Sequence, residues 1–156
     1  MRELKGEPVE TEIEPEIKVN QSAYIPETYV SGIDQRLVSY KRLARMTEQS
    51  EVVQFHEELT DRFGPLPEPA KILMDKIMLK VMCRELGIER LDLVDQRLVL
   101  SFAKDCRVSP KRITDLIQGD PERFCLTPDS VLEVSMPSGR SANPLEATKK
   151  VLQDLS

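Results

Sequence analysis

At 156 residues, with a hydrophobic fraction of 40% and a formal net charge of -5, the chain is sized and balanced for one soluble globular domain. Its 22 Lys and Arg against 27 Asp and Glu suit a basic protein partner and argue against direct nucleic-acid binding, which needs a concentrated basic footprint. No apolar run nears the roughly 20 residues that span a bilayer, and the opening residues lack the apolar stretch of a signal peptide. Cys83, Cys106 and Cys125 are far apart and accompanied by the one His, His56, which argues against zinc and for reduced thiols in the cytoplasm.

Residues 1–16 are rich in Glu and contain Pro8 and Pro15, with little to bury; they read as a flexible acidic linker or tail, so the chain looks excised from something larger. A domain over 17–156 follows. Residues 17–25 are expected to form a strand that Pro26 ends. A first helix over about 34–46 places Leu37, Tyr40, Leu43 and Ala44 near one face. Thr47 is the expected N-cap of a second helix running to Phe63, with Gly64 and Pro65 as stop signals. Its stripe is Val52, Phe55, Leu59 and Phe63. The third helix starts among Pro67-Glu68-Pro69 and ends at Leu86 before Gly87. Ile72, Leu73, Ile77, Leu79, Val81 and Met82 ring its circumference, which predicts the central, most buried helix.

The second half changes character. Segments 88–94 and 97–102 flank Asp95-Gln96 as a hairpin, with Leu98, Leu100 and Phe102 alternating as a half-buried strand requires. Ser109-Pro110 opens a short helix to Gly119. Two strands follow, over about 122–126 and 130–136, and Asn143-Pro144-Leu145-Glu146 opens a last helix with the signature of a capping box. The pattern predicts a single α+β domain, a small mainly antiparallel β-sheet packed with about five helices.

Chemistry is harder to find. There is no phosphate-binding G-x-x-x-x-G-K-[ST] loop, no G-x-G-x-x-G turn and no G-x-S-x-G elbow, and a Cys–His pair would have to use His56. The chain is therefore expected to be non-enzymatic, with no catalytic residues, no metal site and no cofactor.

Three blocks carry a family resemblance. They are Ser22-Ala23-Tyr24-Ile25-Pro26-Glu27-Thr28-Tyr29, then Asp34-Gln35-Arg36-Leu37-Val38-Ser39-Tyr40-Lys41-Arg42-Leu43-Ala44, then Glu58-Leu59-Thr60-Asp61-Arg62-Phe63-Gly64-Pro65-Leu66-Pro67. With Pro69-Ala70 and Glu85-Leu86-Gly87-Ile88, they resemble the C-terminal domain of the bacterial transcription-repair coupling factors over about residues 16–155. The resemblance implies a parent protein that displaces stalled RNA polymerase using ATP and recruits the excision-repair protein UvrA. It further implies that this domain hydrolyses no ATP. It would pack on an N-terminal UvrB-like module of the parent and mask the surface that UvrA binds.

The candidate partner-binding residues are Glu58, Asp61 and Arg62, and the resemblance implies that Glu58 and Asp61 are among the contacts to the masked module. On a helical wheel Glu58 and Asp61 lie about 60° apart, away from Val52, Leu59 and Phe63. Two such carboxylates can engage Arg side chains through charge-assisted bonds. Asp61 also sits in the last turn, where the helix dipole disfavours an anion by about 0.3–1 kcal/mol, a cost that a basic partner offsets. A solvated face, with Arg62 neutralising Asp61, is the plainer alternative. Phe63 and Gly64 read as structural, and Tyr24, Tyr29 and Tyr40 are expected to pack the first helix against the strand. The rival surface for nucleic acid or polymerase is the basic cluster Lys104, Arg107, Lys111 and Arg112 around a helix N-terminus. Asp105 interrupts it, and no aromatic side chain is interleaved to stack bases.

Overall fold

A computed structural model describes residues 14–136 and 144–156. Their order is β1 (Glu16–Val19), α1 (Ile33–Ala44), α2 (Gln49–Phe63), α3 (Glu68–Leu86), β2 (Ile88–Val94), β3 (Arg97–Phe102), α4 (Pro110–Gly119), β4 (Phe124–Leu126), β5 (Val131–Ser135) and α5 (Pro144–Leu155). The α+β class holds. The sheet runs β1-β2-β3-β5-β4, with β1 parallel to β2 and the other three pairings antiparallel.

Alternation on these strands builds the inner face. Ile17, Leu91, Leu100, Leu132 and Leu126 are partners in one cross-strand row, and Val19, Leu93, Leu98, Val134 and Phe124 in the next. Leu91, Leu98, Leu100, Leu132 and Val134 are fully buried. Several of the intervening residues carry charge, including the ion pairs Arg90–Asp92 and Arg97–Glu133.

Helix α3 buries apolar residues on two sides and serves two cores at once. Leu79, Met82, Cys83 and Leu86 join the sheet and α5 residues, while Ala70, Leu73, Met74 and Val81 join Leu43, Val52, Phe55 and Leu59 from α1 and α2. The expectation of a central third helix is met. Burial also pushes the Cys83 thiol up to about 12, as expected for a group whose charged form is desolvated.

Gly87 terminates α3 in the left-handed conformation, φ +84. A Cβ there would stand 2.5 Å from the Cys106 Cα, so the position needs glycine for space as well as for backbone. That close approach is fixed by two bonds, Ala103 N–H to the Gly87 carbonyl (2.9 Å) and Arg107 N–H to the Leu86 carbonyl (2.8 Å).

Three local expectations need correction. The first strand covers Glu16–Val19 and stops well before Pro26, because Tyr24 N–H turns to the Pro69 carbonyl and Ile25 N–H to the Tyr40 hydroxyl. Glu48, not Thr47, caps α2: the Glu51 carboxylate accepts the N–H groups of both Thr47 and Glu48, at 2.9 and 3.0 Å. On α1, Leu43 alone is buried; Leu37 stays 53% exposed, contrary to the expected shared face. The Asn143 cap falls outside the described residues.

Candidate functional site

Helices α1 and α2 are brought together by side chains from the irregular segment before them. The Tyr29 hydroxyl donates to the carbonyls of Leu59 (3.1 Å) and Gly64 (2.6 Å), which closes the C-terminal end of α2. Its ring lies 5.7 Å from that of Phe63, and burial raises its pKa. Arg36 donates to the carbonyls of Val30 and Ser31, fixing the entry to α1. Tyr29 and Tyr40 thus act as structural ties, but Tyr29 ties to α2 and Tyr40 to Ile25 rather than packing α1 against the strand, and Tyr24 is 47% exposed. Gly64, at φ +92 and ψ -171, adopts a backbone that side chains disfavour and ends the helix.

The three candidate residues lie at this end of α2, in three different situations. Glu58 is held by α1: Arg42 Nη1 and Nη2 donate to its two carboxylate oxygens at 2.6 and 2.9 Å. Those hydrogen bonds hold the Glu58 carboxyl below the usual carboxylate range. Arg62 places its guanidinium 5.0 Å from the Phe63 ring centroid. Asp61 is exposed and has no ion-pair partner among the described residues. The proposed local neutralisation of Asp61 by Arg62 is therefore absent from this geometry, and Asp61 faces solvent in the last turn of α2.

Sequence reasoning missed the other half of this face. Ile33, Leu37 and Val38 on α1 are 64%, 53% and 63% exposed. Leu37 lies about 120° around the helix from the buried Leu43, so both cannot point into one core. That angle was the available signal. An open groove of about 210 Å³ separates the two helices, lined by Val38, Arg42, Phe55, Glu58, Arg62 and Phe63 among others. An apolar ridge, a groove and mixed charges are the ingredients of a protein-docking surface.

The other sequence candidates lie elsewhere. His56 is exposed and borders a larger cleft of about 440 Å³ between α2, α3 and α5, apart from the groove. Lys149 in that cleft is bonded to Asp75 (2.6 Å) and Glu146 (3.2 Å), so its charge is met within the domain. Lys104, Arg107, Lys111 and Arg112 are all exposed. Arg107 donates to the Glu85 carbonyl (3.1 Å) and Lys111 stands 3.6 Å from Asp115. No group of three or more His, Cys, Asp or Glu among the described residues is arranged to hold a metal ion. None of the described helices is long and apolar enough to cross a membrane.

Fold and face together define a small α+β domain whose sheet side is closed and whose helical side is open. The model of the TRCF domain family matches residues 19–113, and the chain belongs to that family. It is 36% identical over 155 residues to the transcription-repair-coupling factor of Myxococcus xanthus, an alignment covering 99% of this chain and 13% of that protein. Against the transcription-repair-coupling factor of Escherichia coli strain K12 it is 27% identical over 145 residues, covering 93% of this chain and 13% of that one. The chain thus spans 13% of the length of these relatives. A crystal structure of the C-terminal domain of transcription-repair coupling factor superposes with a TM-score of 0.74 at 18% identity, covering 94% of this chain and 96% of that one. That likeness concerns the fold.

Proposed function

We propose that this domain is a docking module that packs on a UvrB-like N-terminal module of its parent through the α1–α2 face and masks the surface UvrA binds. The parent, in this reading, displaces stalled RNA polymerase with ATP and recruits excision repair, and the domain holds that recruitment off until the parent is engaged. The observation that carries the reading is the open face itself. Val38, Glu58 and Arg62 line the groove, and Ile33 and Leu37 remain exposed elsewhere on α1. Isolated apolar residues on a surface are ordinary; three exposed on one helix, one of them lining a charged groove, support a contact site there.

The charges refine the chemistry of the partner. Arg42 pairs with Glu58 while Arg62 and Asp61 present opposite charges without pairing to each other, so the face is of mixed sign and fits a partner presenting both charges around an apolar centre. The test is competition: UvrA binding to the isolated UvrB-like module is measured with and without this domain. The domain is expected to suppress UvrA binding, and Glu58→Ala combined with Asp61→Ala to restore it. UvrA binding that is indifferent to the domain at saturating concentration contradicts the reading.

A further inference from the structure

The described chain begins anchored, where the sequence suggested a free linker over residues 1–16. Pro15 is buried, and Glu16 opens β1 opposite Arg90. Just ahead of them, the Glu14 carboxylate pairs with Lys80 Nζ on α3 at 3.0 Å. The hydrogen bond from Lys80 lowers the Glu14 pKa, and the charges of Lys80 and Arg84 lower it further. Lys80 and Arg84 are four residues apart on α3, so they share one face about 6 Å apart along its axis. An extended chain advances about 6.6 Å every two residues. The sequence places Glu10, Glu12 and Glu14 at every second position, so the spacing of the carboxylates nearly matches that of the cations. Direction agrees as well. The single residue Gly87 joins α3 to β2, which packs against it, so β2 and its parallel neighbour β1 run back along α3. Reading backward from β1 leads from Lys80 toward Arg84.

We propose that residues 12–14 form an electrostatic strap on α3, in which Glu12 seats on Arg84 one turn beyond the Glu14–Lys80 pair. Glu12 lies outside the described residues; Glu14 and the course of β1 deliver it to Arg84. One exposed ion pair is weak. With Glu14 and Pro15 already fixed, however, Glu12 meets Arg84 at the high effective concentration of a two-residue tether. The strap is separate from the α1–α2 face, and its consequence is reach. Chain ahead of residue 12 leaves the domain at the C-terminal end of α3 and not at the start of β1, which shortens the free tether. Because it joins exposed charges, the strap opens with added salt.

The experiment is limited cleavage of the whole chain by a Glu-specific endoprotease, with the cuts after Glu12 and after Glu3 followed by mass spectrometry. Glu3 lies well ahead of the strap, so the ratio of the two rates reports the strap and cancels changes in the protease. At low salt the native ratio is expected to lie about fivefold or more below that of Lys80→Gln/Arg84→Gln, and to rise to meet it at about 0.5 M salt. Arg84→Lys keeps the charge and most of the protection. Glu14→Gln, which changes no residue of a helix or strand, releases the segment as fully as the double variant. Melting temperatures stay within about 2 °C of the native chain, so release is not unfolding. A native ratio no lower than that of the variants overturns the strap, as does protection that survives both Lys80→Gln/Arg84→Gln and Glu14→Gln. Protection that Glu14→Gln removes but Arg84→Gln alone leaves intact overturns the seating of Glu12 on Arg84.

Discussion

The two halves of this domain treat their apolar side chains differently. The sheet with α4 and α5 closes on itself: its rows of Leu and Val are paired strand to strand and covered by α3 and α5, leaving Val94 and Leu126 as its large exposed apolar residues among those described. The α1–α2 half, built on the opposite side of the same α3, leaves Tyr24, Ile33, Leu37, Val38, Tyr40 and Val53 exposed. A shared central helix lets one half supply rigidity while the other stays open. Burial in the first half contributes stability; the proposed docking would account for the exposure in the second.

The sharpest break of this contrast is expected in the closed half. Leu100→Ala removes a fully buried side chain from the middle of the inner row and should cost about 2–5 kcal/mol in urea unfolding. At the joint between α3 and β2, Gly87→Ala introduces a Cβ against backbone 2.5 Å away at a positive φ. A loss of about 2 kcal/mol is expected, read as a lower melting temperature. In the open half, Ile33→Ser with Leu37→Ser should change stability by less than about 0.5 kcal/mol, because both side chains are already in water. The same pair should weaken docking about tenfold in calorimetry, which separates function from fold within one variant.

The smallest effect is electrostatic. Glu58 has a depressed carboxyl because Arg42 bonds it. Its contribution is therefore present above the unfolded carboxylate range near pH ~4.3 and is lost as pH falls through its lower folded value. The pair is half exposed, so the melting temperature of the native domain should converge with that of Arg42→Gln only slightly on acidification. A large convergence on acidification would show that the clamp is structural.

The sheet half was legible because alternation at period two, the Asp95-Gln96 turn and the Ser109-Pro110 start are local signals. Asp95, at φ 58, takes the left-handed turn position that Asp tolerates. The helical half was legible in its elements and less so in its surface. Leu37 and Leu43 both looked like core because periodicity identifies apolar faces without saying what covers them. The capping of α2 moved by one residue because Glu51 reaches two N–H groups, a choice made by side-chain reach. Glu58 and Asp61 were singled out as a pair by spacing together with the family resemblance. Their different fates depend on Arg42, 16 residues away in sequence, which no spacing rule reaches.

The most direct test of the central claim maps the docked surface by backbone amide hydrogen exchange, with and without the parent's UvrB-like module. The account predicts added protection along α1 and in the second half of α2, around Leu37, Val38, Glu58, Asp61 and Arg62, with the sheet unchanged. Protection centred on Lys104, Arg107, Lys111 and Arg112 at the start of α4, with α1 unaffected, would contradict it and move the contact to the basic cluster.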